Sequence, residues 1–320
     1  MVDDHERTGR HLMTALSIGV NLPTLGEGAH EAASGGPSPA ERARHAEQLG
    51  FESVWVPDLM TGDGMPALES TAVAAAAAAA TERVRIGFGV YVVALRPVVW
   101  TAAHLATLQH LSRGRVLFGV GSGGFPRAPF WLASGAAAHD RGARTDAALR
   151  ALPGLVGGEP TLVDTASQRV EITNAPAAPV PPVLVGGNSS AALRRTVEYG
   201  DSWFPSLITP ETLGRRVERM RSLASAHGRG VPGVTVGGHL VPGEGSTARA
   251  ARESLVSSLT DQHGMSADEA ERIPISGGTA EMAERLAAYA ASGAQRVVVS
   301  LDGADWMHGC ETLAEAARLL

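Results

Sequence analysis

Val84-Arg85-Ile86-Gly87-Phe88-Gly89-Val90-Tyr91-Val92 is rich in β-branched and aromatic residues and reads as one strand. Val98–Leu111 follows with a helical pattern, and Arg115-Val116-Leu117-Phe118-Gly119-Val120 reads as a second strand. Two strands separated by a helix of this length form a parallel pair with a crossover, because a hairpin turn cannot join parallel strands.

The same unit recurs on both sides. Leu16–Asn21 and Ser53–Val56 precede it as strands, with helices expected at Ser38–Leu49 and Pro66–Ala80. Ser38-Pro39-Ala40-Glu41 carries a helix start: Ser38 as cap, Pro39 in the first turn and Glu41 closing a capping box. Gly50 supplies the left-handed stop. Downstream strands are expected at Val183–Val185, Ser202–Phe204, Val234–Val241 and Arg296–Leu301, the last followed by a helix at Glu311–Leu320. Eight strands alternating with helices predict a (β/α)₈ TIM barrel, with an open doubly wound sheet as the rival. The chain of 320 residues exceeds the ~250 a bare barrel needs. The excess is assigned to an insertion at about 122–180 in one barrel domain over 14–320, behind a polar tail at 1–13.

Composition narrows the function. Hydrophobic residues make up 44% and the net charge is -6, which suits a globular core and disfavours a nucleic-acid partner. The single cysteine, Cys310, excludes an intramolecular disulfide. The opening Met1–Met13 lacks the apolar core of a signal peptide, and Thr71–Ala80 is too short to span a bilayer. A cytoplasmic protein without membrane association is expected. The histidines are scattered and no metal-ligand motif occurs, so no metal is expected.

Barrel enzymes carry their chemistry at the carboxyl ends of the strands. That rim is rich in glycine and polar groups: Asn21, Asp58, Gly89-Val90-Tyr91, Gly121-Ser122-Gly123-Gly124, Gly186 to Ser190, Pro205-Ser206, His239 and Ser300–Asp302. Loops are rich in such residues in any case. Gly186-Gly187-Asn188-Ser189-Ser190 is the most informative stretch. Its glycines allow close backbone approach and a capped helix follows, so it reads as a phosphate site or as a plain capped turn. Gly119 to Gly124 formally matches G-x-G-x-x-G, but Pro126 and Pro129 argue against the helix that a dinucleotide site needs. Gly121 and Ser122 are expected instead to let a flat ring approach the backbone. Asp58 can bind a ligand, act in catalysis or hold a loop. His239 is either a satisfied core histidine or a ligand-facing one. Phe125, Phe130 and Trp131 give the insertion an apolar face that either lines a substrate pocket or packs on the barrel.

Three segments resemble the luciferase-like flavin and deazaflavin oxidoreductases: Ala46–Asp58, Thr81–Gly123 and Pro182–Trp203, with Gly278–Val298 also matching. The resemblance covers almost the whole chain after the tail and is closest to actinobacterial F420-dependent members. It implies a (β/α)₈ barrel, often a homodimer, that binds coenzyme F420 or FMN. It implies that Gly186, Gly187, Asn188, Ser189 and Ser190 hold the cofactor phosphate. It also implies that Gly89-Val90 forms a non-proline cis peptide behind the ring; Asp58, Gly121 and Ser122, read from the rim itself, are the further cofactor contacts expected. Several deazaflavin-dependent members carry histidine directly after the aspartate of the second strand; here Leu59 stands there and cannot exchange a proton. His239 or Tyr91 then becomes the candidate acid or base.

The expected activity is hydride transfer between F420 and a small organic substrate. Two alternatives stand beside it. One is an FMN-dependent two-component monooxygenase, partnered by a reductase that supplies reduced cofactor. The other is a non-catalytic cofactor-binding protein. A cofactor-free phosphosugar barrel is the remaining possibility.

Overall fold

The computed structural model describes residues 16–165, 167–303 and 305–320. The polar tail expected at 1–13 lies outside the described residues.

Eight strands form the barrel: β1 Ser17–Asn21, β2 Ser53–Val56, β3 Arg85–Phe88, β4 Val116–Gly121, β5 Val183–Gly186, β6 Ser202–Phe204, β7 Gly233–Pro242 and β8 Arg296–Leu301. Each pairs in parallel with its successor, and β8 pairs with β1, Ser17 opposite Arg296. The sheet is therefore closed, which removes the open-sheet rival. Helices join successive strands and cover the outside, as right-handed crossovers require.

One aromatic side chain organises the interior. Trp55 is fully buried and donates from Nε1 to Ser53 Oγ at 2.7 Å. A methyl group on Gly87 would come within 2.3 Å of its ring, and one on Gly19 within 2.5 Å of its Nε1. Glycine in these two strands leaves the room that the indole fills. Phe204 meets the ring edge-on at 5.1 Å between centroids, and Leu117, Leu184 and Val298 complete the inner layer.

The amino-terminal end of the barrel is stitched by charge. Glu47 accepts backbone hydrogen bonds from Glu82, Arg83 and Val84, which sets the entry to β3. Arg115 donates to the carbonyls of Ala78, Thr81 and Val84, capping the helix Ser70–Ala80. The Ser38 capping box forms as the sequence predicts, with Gly50 in the left-handed region at φ 89°.

Several elements differ from the sequence reading. The strand expected over Val84–Val92 stops at Phe88 and resumes as Tyr91–Val92, which pairs with Val120 and Gly121. The peptide between Gly89 and Val90 is cis. The helix expected from Pro66 starts at Ser70, where Glu69 caps Ala72 N at 2.7 Å. The final helix begins earlier than expected, at Trp306, capped by Asp305. Between β4 and β5 the chain forms helices Pro129–Ala133 and Arg141–Gly157, then an antiparallel hairpin, Thr161–Asp164 with Arg169–Ile172. No described helix is long and apolar enough to cross a membrane.

Candidate active site

Beyond the carboxyl ends of β1, β2, β3, β7 and β8 lies a cleft of about 1090 Å³. Asn21 from β1, Gly89 from the end of β3, His239 from β7, and Ser300 and Asp302 from β8 and its exit line its inner part. Its outer walls are the segment 22–37 after β1, and Gly303, Asp305, Trp306 and Met307 after β8. Trp306 ties the second wall to the end of β1 by donating from Nε1 to Asn21 O at 2.9 Å.

Hydrogen bonds fix the polar groups at the cleft floor. Asn21 Nδ2 donates to Ser300 Oγ at 2.8 Å, across neighbouring strands. Its Oδ1 is buried without a partner among the described residues and borders Gly89, where a methyl group would lie 3.5 Å from it. His239 Nδ1 lies 2.9 Å from Asp302 Oδ2, and about a third of each side chain remains exposed. Among the described residues Nε2 of His239 has no protein partner.

Val90 forms the neighbouring surface. A methyl group on Gly121 would fall 2.6 Å from its Cγ2, and one on Gly186 2.8 Å from its Cγ1. The two glycines thus seat a side chain of this chain, a constraint more immediate than contact with a ring. Ser122 is half-buried beside them.

Beyond Gly186 the turn is open. Gly187 has φ 110°, a backbone state that favours glycine. Gly187 to Ser190 are exposed. Ser189 Oγ caps Ala192 N at 3.1 Å, starting the helix Ser190–Tyr199. Asn188 Nδ2 donates to Ser206 O at 2.8 Å, and the Arg216 guanidinium donates to Asn188 O. The result is an exposed helix N-terminus with a cation at its edge, which favours an anion.

Four expected site residues are placed otherwise. Asp58 is no free acid: its side chain is 1% exposed and both oxygens are occupied. Arg96 holds them bidentately, Val92 N donates to Oδ2 at 2.8 Å and Ser70 Oγ donates to Oδ1 at 3.0 Å. Asp58 organises the loop after β3. Tyr91 does not line the cleft. It is buried with Phe88 and Phe118 between the barrel and its helices, its hydroxyl beside Thr101 and Thr71, and burial pushes that hydroxyl's pKa up. Trp131 is 5% exposed and packs on Val92, Ala94 and Leu95, so it anchors the insertion instead of lining a pocket. Phe130 packs against this cluster, and its backbone N donates to Thr61 O at 3.1 Å. Phe125 alone of the three aromatics borders open space, a hollow of about 420 Å³ with Thr61 and Asp63.

Sequence reasoning had not singled out Asp302, Arg216 or Arg96. Asp302 stood on the expected rim without a role, and its position just past a barrel strand was the available signal. Nothing local marked Arg216 among the arginines of its helix.

The chain and its fold match known proteins. The family model described as luciferase-like monooxygenase matches residues 16–303. An uncharacterized protein of Mycobacterium tuberculosis is 28% identical over 214 residues, covering 59% of this chain and 72% of that one. An F420-dependent secondary alcohol dehydrogenase, solved with an F420-acetone adduct, superposes with a TM-score of 0.80 at 18% identity, over 94% of this chain and 98% of that chain. The oxygenating constituent of 3,6-diketocamphane monooxygenase from Pseudomonas putida, solved with FMN, gives 0.76 at 15% identity, over 95% and 98%. At such identities the two structures establish the shared fold. With the family model covering the barrel from β1 to β8, the chain belongs to the luciferase-like monooxygenase family, whose members are oxidoreductases.

Proposed function

We propose that this protein is an oxidoreductase that uses coenzyme F420 for hydride transfer to or from a small organic substrate. The observation that supports this reading is the half-buried Val90, which packs against Gly186 on one side and follows Gly89 of the cleft floor on the other. We infer that a bound cofactor would reach from the exposed Gly187–Ser190 turn, over Val90, to the cleft floor at Asn21, Gly89 and His239.

The residues present fit a cofactor with a flat ring and a phosphate. The exposed start of a ten-residue helix and the nearby Arg216 suit the phosphate. Val90 offers an apolar seat for a ring. Asn21 Oδ1, a buried acceptor without a partner among the described residues, suits a ring N–H, since an unmade buried hydrogen bond costs ~1–3 kcal/mol. When bound, the cofactor supplies the hydride chemistry. The protein orients it, excludes water and provides His239, which takes the proton-exchanging position that Leu59 cannot fill. A dehydrogenase in the same fold, solved with a ketone adduct of F420, supports this choice.

A second reading is an FMN-dependent two-component monooxygenase, favoured by the FMN-bound neighbour and by the histidine in β7. It requires a separate reductase. Titration of the purified protein with F420 and with FMN, in both redox states, separates the two. Tighter binding of F420 supports the proposal. Preference for reduced FMN, with oxygen consumption, moves the activity to the monooxygenase. Binding of neither removes the cofactor reading.

A further inference from the structure

We propose that Asp302 is a positioning residue for His239, and that the pair makes the cleft selective for substrates whose hydroxyl loses its proton while the adjacent C–H loses a hydride. The inference rests on the F420 reading for the hydride acceptor, but the role of Asp302 stands on geometry alone.

Both residues are set by the sheet. His239 and Ser300 are register partners in the β7–β8 pair. Asp302 N donates to Leu240 O at 2.9 Å, which extends that ladder past the end of β8. The Nδ1–Oδ2 contact of 2.9 Å is thus held by two adjacent strands, without help from a mobile loop. An ionised carboxylate only accepts hydrogen bonds, so the nitrogen facing it carries the proton. Nε2 is then a bare acceptor beside the cleft. A histidine without such a partner distributes its proton over both nitrogens, and the wrong tautomer cannot take a proton from a substrate at Nε2.

The other charged groups lining the cleft are occupied or distant from this contact. Arg42 pairs with Glu31, and Asp305 caps the final helix. Glu27 lies on the outer wall. Among the described residues Asp302 is the carboxylate hydrogen-bonded to His239.

The step balances as follows. The substrate O–H gives its proton to Nε2, and the O–H electron pair becomes the second bond of C=O. The neighbouring C–H bond breaks with its pair, and oxidised F420, if bound across the cleft, would accept that pair as hydride and so supply the two-electron oxidation. The imidazolium lies against the Asp302 carboxylate until its proton leaves to solvent. In reverse, the same imidazolium protonates a carbonyl oxygen. Reduction of an activated alkene puts its proton on carbon and does not need an oxygen-directed donor.

The test begins on protein without cofactor. Imidazole nitrogen-15 shifts, measured near pH 9 where histidines are ordinarily neutral and assigned with His239→Gln, report the tautomer. The expected result is Nδ1–H for wild type and Asp302→Glu, with movement toward Nε2–H in Asp302→Ala. An Asp302→Ala spectrum identical to wild type overturns the positioning role. With F420, wild type is assayed on secondary alcohols and on activated alkenes. Alcohol oxidation that falls about 10- to 100-fold in kcat in Asp302→Ala, recovers in Asp302→Glu and leaves the F420 Kd unchanged supports the proposal. Turnover of alkenes but not alcohols overturns the substrate class. If wild type does not bind F420, the function proposed above fails, while the tautomer result still decides the role of Asp302.

Discussion

Arg96 grips Asp58 through two hydrogen bonds, Nη1 to Oδ2 at 2.7 Å and Nη2 to Oδ1 at 2.9 Å. The carboxylate is 1% exposed and the guanidinium 17%. Removing one partner of a buried pair strands the other charge, at a cost of ~3–5 kcal/mol. Asp58→Asn is therefore expected to lower stability by several kcal/mol in denaturant unfolding. Adding Arg96→Met should recover part of the loss, because the stranded guanidinium is gone. Asp58→Asn that unfolds like wild type but loses turnover would return Asp58 to a catalytic role.

Tyr91→Phe gives the opposite expectation. The hydroxyl is buried with no hydrogen-bond partner among the described residues, and the ring keeps its contacts with Phe88, Phe118 and Arg96 without it. Deleting an unsatisfied buried hydroxyl removes a desolvation cost, so stability should be unchanged or rise by up to about 1 kcal/mol. Steady-state kinetics should match wild type. A large drop in kcat would show that the hydroxyl reaches the reaction.

The sequence displays what short-range physics controls. The Ser38–Glu41 box is a contact three residues long, and the recurring apolar runs expose the barrel rhythm. The helix Gly26–Ala33 escaped because it opens on glycine and Leu25 gives it no side-chain cap. The antiparallel pair Thr161–Asp164 and Arg169–Ile172 escaped because its strands are four residues each and lie outside the barrel. At the site, Gly186 to Ser190 was legible as a local motif. Asn21 with Ser300 lies 279 residues apart, and His239 with Asp302 lies 63 apart. Such pairs exist only once the barrel has closed, so no spacing announces them. Tyr91 was misplaced for a related reason: after the break at Gly89-Val90, simple alternation along one strand no longer says which side it faces.

Stability should depend on acid through Glu52. Its carboxylate receives Arg296 Nε at 2.9 Å and Nη2 at 2.7 Å, between the approach to β2 and the start of β8. Burial would raise the Glu52 pKa, but the Arg296 hydrogen bonds and charge outweigh it and lower it below the ordinary glutamate range. A carboxyl with a lowered folded pKa contributes stability that is present above its unfolded pKa, ~4.3. That contribution disappears as pH falls through the lower folded value. In Glu52→Gln, unfolding free energy near pH 7 should drop by about 2 kcal/mol, and the difference from wild type should shrink steadily below about pH 4. A difference that stays constant down to acid would mean that the ion pair is not its source.

Val90 and Gly186 test the barrel mouth without touching a titratable group. A methyl group on Gly186 would sit 2.8 Å from Val90 Cγ1 and 3.2 Å from Val120 O. The first clash involves a side chain that can be shortened, whereas the second involves the β4 backbone. Gly186→Ala should cost ~1–3 kcal/mol of stability, the range for overpacking a filled site. It should also weaken cofactor binding, because Val90 must leave its seat. Val90→Ala alone trims a half-buried side chain and should cost less. In the double variant the short side chain at 90 makes room for the methyl group, so the combined loss should fall below the sum of the two single losses. Denaturant unfolding measures the stability cycle and calorimetric titration measures the binding cycle. Additive stability losses would mean that contact with Val120 dominates. Stability coupling with unchanged cofactor affinity would show that Val90 does not support the ring.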